Sequence, residues 1–97
     1  MTRKRTGRQS ELQRRRARLL RLRYELKCNG VKVRVRKPRN GRWQLKLRSG
    51  GWSETVLCAG AEGTYVYVTA HGRLLGPAHE ARHVACVLAW MVERHER

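Results

Sequence analysis

Two hydrophobic periods follow one another along the chain, and their order predicts its elements. Between Ser10 and Lys27 no Gly or Pro intervenes, and Leu12, Leu19, Leu22 and Leu26 recur at the spacing of one helical face. Leu20 and Tyr24 are expected to widen that stripe. Arg14, Arg18 and Arg21 fall on the opposite side of the helix. Arg16, Arg23 and Lys27 flank the stripe, where long stems can lie along a core edge while the charges stay in water. Ser10-Glu11-Leu12-Gln13 fits a capping box, so the helix is expected to begin at Ser10. Asn29-Gly30 supplies its stop. Residues 1–9 then read as a flexible basic arm, with Arg3, Lys4, Arg5 and Arg8, ahead of one domain over 10–97.

Beyond Gly30 the period becomes two. Val31, Val33 and Val35 alternate with Lys32, Arg34 and Arg36. After the turn Pro38-Arg39-Asn40-Gly41, Trp43, Leu45 and Leu47 alternate with Arg42, Gln44, Lys46 and Arg48. Consistency of faces selects the hairpin register. A two-residue Asn40-Gly41 loop would set Val35 against Lys46. A three-residue loop, Arg39-Asn40-Gly41 with Gly41 left-handed, sets Val35 opposite Leu45 and Val33 opposite Leu47. Ser49-Gly50-Gly51 turns into a third strand over Trp52–Cys58. Ala59–Gly63 reads as a loop and Thr64–Thr69 as a fourth strand. Ala70-His71-Gly72 turns the chain, and Arg73-Leu74-Leu75 reads as a short fifth strand. Gly76-Pro77 breaks the chain and opens the last helix, about 78–94, with Pro near its first position. Its core face is Ala81, Val84, Ala85, Leu88, Met91 and Val92. Val87 and Trp90 border that face, as a seam for a second copy or a cover for the sheet. Counting the four longer strands, the pattern is α-β-β-β-β-α, an α+β domain with an antiparallel sheet packed by helices. A chain of 97 residues allows one modest core and no second domain.

Charge sharpens this picture. Residues 1–48 hold 19 Lys and Arg against two acids, Glu11 and Glu25, a balance of +17; residues 49–97 hold four Arg against five Glu. Charge kept only for solubility would be spread and of both signs. Charge concentrated in one half points to an anionic partner that relieves its self-repulsion. In the hairpin register above, Arg34 faces Lys46, Lys32 faces Arg48, and Arg36 faces Gln44. Like charges directly opposite cost a sheet about 0.2–1 kcal/mol per pair. Phosphates lying over the hairpin would offset that cost. A two-stranded ribbon fits the DNA major groove, where Arg, Lys and Gln read base edges. The sheet and basic helix could equally grip an RNA backbone. Trp52, Tyr65 and Tyr67 are candidate stacking platforms, whereas Trp43 shares a face with Leu45 and Leu47 and reads as core.

Catalytic chemistry finds little support. His79-Glu80-Ala81-Arg82-His83 matches H-E-x-x-H, and Cys86 extends the same helical face. Yet the motif begins just after Pro77, where a helix is barely formed, and Arg82 places a cation between the ligands. Exposed histidines near a helix cap are the better reading; an adventitious metal on His79, His83 and Cys86 ranks below it. No nucleophile–base pair, carboxylate pair or phosphate-binding Gly loop can be placed. No enzyme activity and no cofactor are therefore expected. Cys28, Cys58 and Cys86 are odd in number and form no CxxC, so they read as small buried apolar residues. No apolar h-region follows Met1 and no run is long enough to span a membrane, so an intracellular, nucleoid-associated protein is expected in the cytoplasm.

The stretch from Asn40 to Gly51 has a strand, an Asn-Gly turn, an Arg-Trp pair, a second strand and a Gly turn. It resembles the first turns of the sheet in AP2-like and integrase arm-type DNA-binding domains, a likeness that covers about residues 31–58. The resemblance implies a three-stranded sheet entering the major groove, a helix behind it, and Arg34, Arg36, Arg42, Gln44, Lys46 and Arg48 facing DNA. The strand around Tyr65–Val68 and the long basic first helix depart from that pattern. The expected function is thus a small nucleic-acid-binding regulator or accessory factor, of the kind carried by phages and mobile elements, with duplex DNA favoured and RNA next. The binding residues are the hairpin set with Lys32, together with Arg14, Arg18 and Arg21 of the helix and the arm. Two other classes stay open: a protein that docks on the acidic surface of a nucleic-acid enzyme, and a ribosome-associated RNA-binding protein.

Overall fold

A computed structural model describes the backbone of residues 3–37 and 41–95, and the side chains of residues 11–37 and 41–94. Helix α1 (Arg3–Cys28) is followed by strands β1 (Val33–Arg36), β2 (Gln44–Ser49), β3 (Trp52–Ala61), β4 (Thr64–Thr69) and β5 (Leu74–Pro77). A 3₁₀ turn (Ala78–Glu80) then leads into helix α2 (Ala81–His95). The strands form one antiparallel sheet in chain order, β1-β2-β3-β4-β5. Leu19, Leu22 and Leu26 of α1 and Val84, Ala85 and Leu88 of α2 share one core with Leu45, Leu47, Val56, Cys58, Tyr65 and Tyr67 of the sheet. Both helices therefore cover the same face, and the alternate strand residues look out from the other. No helix among the described residues is long and apolar enough to cross a membrane.

Helix α1 starts at Arg3, so Ser10 lies inside it rather than at its cap. The basic residues upstream of Ser10 are good helix formers, with Thr6 and Gly7 the weak positions, and the helix runs back through them without an apolar stripe. Tyr24 is 63 % exposed and does not widen the stripe. The helix ends as expected. Val31 N–H donates to Leu26 O and Gly30 N–H to Lys27 O, both at 3.0 Å, with Gly30 at φ +77°. This is a Schellman stop, with Leu26 and Val31 both buried in the core.

The first hairpin pairs Val33 with Leu47, Arg34 with Lys46, Val35 with Leu45 and Arg36 with Gln44, the register that face consistency selects. Gly41 has φ +84° as anticipated; the rest of the turn, 38–40, lies outside the described residues. The expected loop at Ala59–Gly63 is instead the end of β3 and a two-residue turn, with Ala61 paired to Thr64. Glu62 and Gly63 both have positive φ, +55° and +85°, the geometry of the tightest hairpin turns. Glu is a rare occupant there, and Glu11 of α1 holds it: its carboxylate accepts the Glu62 N–H at 3.0 Å. Strand β5 runs through Gly76-Pro77 rather than breaking there. Pro is tolerated because β5 is an edge strand and needs no second ladder.

Candidate nucleic-acid interface

The candidate interface is built by the alternation of β1 and β2. With Val33, Val35, Leu45 and Leu47 turned to the helices, Arg34, Arg36, Gln44, Lys46 and Arg48 must face away from them. Lys32, just before β1, joins them. A shallow groove of about 530 Å³ runs between these side chains, lined by Lys32, Val33, Arg34, Arg36, Lys46 and Arg48. The next strand adds no acid to this face: Arg48 pairs with Ser53 and Lys46 with Thr55, while Glu54 between them turns to the helix side. Farther from the hairpin the open face carries Leu57, Val66 and Val68, all half-buried, and Leu74, 66 % exposed. The five cations make no hydrogen bond or ion pair among the described residues.

The arginines of α1 stand elsewhere and are mostly engaged. Arg15 donates twice to Gly60 O, at 3.0 and 2.7 Å, and ties α1 to the end of β3. Arg16 lies 4.9 Å from the Trp43 ring centre, and Lys37 lies 5.3 Å from it. Arg18 sits over Tyr65 at 5.3 Å. Arg14 is 4.0 Å from Glu11, and Arg21 reaches Glu25 at 3.0 Å. Arg14, Arg18 and Arg21 are on the helix layer, across the sheet from the hairpin cations, so the structure does not unite these two sets in one surface. Arg42 is exposed beside Trp43, in a notch with Leu12, Arg15 and the end of β3. The side chains of Arg3, Lys4 and Arg5 lie outside the described residues.

Two sequence readings are corrected here. Tyr65 and Tyr67 are 4 % and 0 % exposed and point to the helices, and Trp52 packs against the same core. They cannot serve as stacking platforms. In β4 both faces are apolar, so alternation alone does not say which one is inside. The hydroxyls decide it: Tyr67 donates to Arg18 O at 2.6 Å and Tyr65 to Glu11 Oε1 at 2.5 Å. Of the cysteines only Cys58 is buried; Cys28 and Cys86 are exposed, because they fall just off the apolar stripes of their helices. His79 and Glu80 lie in the 3₁₀ turn, where helical spacing fails. No group of three or more His, Cys, Asp or Glu converges among the described residues, so His79, His83 and Cys86 are not assembled.

Two residues were missed, and both are acids in the basic half. Glu11 receives Tyr65, Glu62 and Arg14; the tyrosine hydrogen bond first, then the Glu62 N–H, hold its carboxyl below the usual range. Glu25 is 6 % exposed and is clamped by Arg21 from its own helix, with Arg82 of α2 at 4.0 Å from its other oxygen. The Arg21–Glu25 spacing of four was the readable sign. No family model, curated protein or solved structure matches the chain.

Proposed function

We propose that this protein binds duplex nucleic acid, with DNA favoured, through the open face of its β1–β2 hairpin, and acts as a regulator or accessory factor rather than an enzyme. One observation carries the reading. Among the described residues, five cations are set on one face of the sheet that carries no acid, including a Lys–Arg pair directly opposite one another, and none of the five has a side-chain partner. A sheet bears that repulsion at a cost to its own stability, and phosphates remove it. Duplex is favoured over single strands because every aromatic of the sheet region turns to the helix side, so the basic face has no surface on which splayed bases would stack. The β1–β2 hairpin, at one edge of the five-stranded sheet, also presents Arg, Lys and Gln, the side chains that read base edges in the major groove.

A binding panel of duplex DNA, single-stranded DNA and structured RNA at several salt concentrations tests this. Five phosphate contacts give an expected slope of log affinity against log salt of about −4 to −5 on duplex. A slope near about −1 would refute an extended phosphate footprint. Tighter binding to single strands than to duplex would refute the duplex reading. An acidic protein surface as the true partner would show as complexes that excess random duplex does not compete away.

A further inference from the structure

A second basic surface lies on the other side of the sheet. Between the middle of α1, the β3–β4 turn and the start of α2 is a cleft of about 820 Å³, whose walls include Arg18, Arg21 and Arg82. Glu25 organises it. Its buried carboxylate takes Arg21 on one oxygen, at 3.1 and 3.0 Å, and stands 4.0 Å from Arg82 through the other. Guanidinium groups from two helices thereby stand at the cleft, Arg21 hydrogen-bonded to Glu25 and Arg82 in range of its charge, and their side chains remain 61 % and 83 % exposed. Arg18 lies over the Tyr65 ring, 5.3 Å from its centre, and is itself exposed. Three arginines exceed the acids beside them, Glu25 and Glu80, and Glu80 is itself 3.7 Å from His79. Pre-set guanidinium forks are the side-chain geometry that recognises phosphate oxygens.

The placement of this cleft matters as much as its chemistry. The hairpin cations look out from the uncovered face at β1 and β2; the arginine cleft opens on the helix side next to β4 and the start of α2. A straight duplex cannot lie on both sides of one sheet. We infer that the arginine cleft is a second phosphate-binding site, and that one copy of the protein bridges two nucleic-acid duplexes. This inference rests on the hairpin face binding duplex.

A sandwich capture experiment tests it. Duplex DNA on beads is incubated with the protein and then with a labelled second duplex, and the retained label is counted. The wild type captures the second duplex. Arg18→Gln with Arg82→Gln, which leaves Arg21 to pair Glu25, loses capture while affinity for a single duplex stays within about threefold. Arg18→Lys with Arg82→Lys restores part of the capture, since charge returns without the planar fork. Capture by the Gln variant equal to wild type overturns the inference; bridging through a dimer of the chain would give that result. Absence of capture by the wild type overturns it too. Failure of the underlying reading looks different: Arg34→Glu with Lys46→Glu would then leave single-duplex affinity unchanged.

Discussion

Replacing Arg34 by Glu separates the two roles a charged sheet face can have. Arg34 is exposed and sits directly opposite Lys46 on the hairpin. In the free protein the substitution turns a repulsive cross-strand pair into an attractive one, worth up to about 1 kcal/mol. For a domain of this size that raises the thermal midpoint by up to about 4–8 °C. In the complex the same change sets a carboxylate against a phosphate. Two unit charges about 4 Å apart in water interact by about 1 kcal/mol, so replacing attraction by repulsion costs about 2 kcal/mol, roughly a 30-fold loss of affinity. The salt slope should also become shallower by about 0.9. Thermal melting and fluorescence anisotropy with labelled duplex, on the same samples, read both effects. Stability and affinity are expected to move in opposite directions. Affinity within about threefold of wild type would show that the hairpin is not the binding face. A collapse of the melting transition would show that Arg34 does not lie on an exposed face at all.

The remaining predictions concern groups inside the fold. Burial pushes the Cys58 thiol up to about 11, whereas Cys28 and Cys86 are exposed; a thiol reagent at neutral pH should modify the latter two rapidly and Cys58 only on unfolding, and simultaneous reaction of all three would contradict the packing. Glu11 has its carboxyl held below the usual range by Tyr65 and Glu62. Its contribution is therefore complete above the unfolded carboxylate value and is lost as pH falls through the lowered folded value. Glu11→Gln should lower the neutral-pH midpoint and flatten its acid dependence, measured by melting across the acid range; an unchanged acid slope would remove Glu11 from that role.

The hairpin register could be read from sequence because β1 and β2 alternate strictly and bury one face. A slip by one residue would have set Lys46 or Arg34 against the core residues, and the structure has each pairing of the four. Helix α2 was equally readable, since its stripe from Ala81 to Val92 is the one that the core receives. What could not be read depends on partners distant in the chain. The turn at Glu62 is stabilised by a carboxylate 51 residues away, and nothing local marks Glu62 as left-handed. The inward face of β4 is fixed by hydroxyls that reach α1, not by the polarity of Val66 or Val68. Residues 3–9 gave no apolar period, so pattern alone could not extend the helix through them.

The same distant contacts change what the net charge of +16 means. Read as a total, it suggests a broad electrostatic patch over the first half of the chain. In the fold several of these charges contact other groups of the molecule. Arg15 holds a carbonyl of β3, Arg16 and Lys37 flank Trp43, Arg18 lies on Tyr65, and Arg21 neutralises Glu25. Such arginines keep their positive charge but are restrained in place, and those lining the cleft remain exposed enough to meet an anion in a fixed geometry. The hairpin cations are restrained only by their strands, and they are the ones whose mutual repulsion stays unrelieved. The two sets should therefore differ in how they bind. The hairpin should supply most of the salt-dependent affinity, and the clamped arginines should contribute position more than strength. This is why the capture experiment, and not affinity for one duplex, is the measurement that distinguishes them.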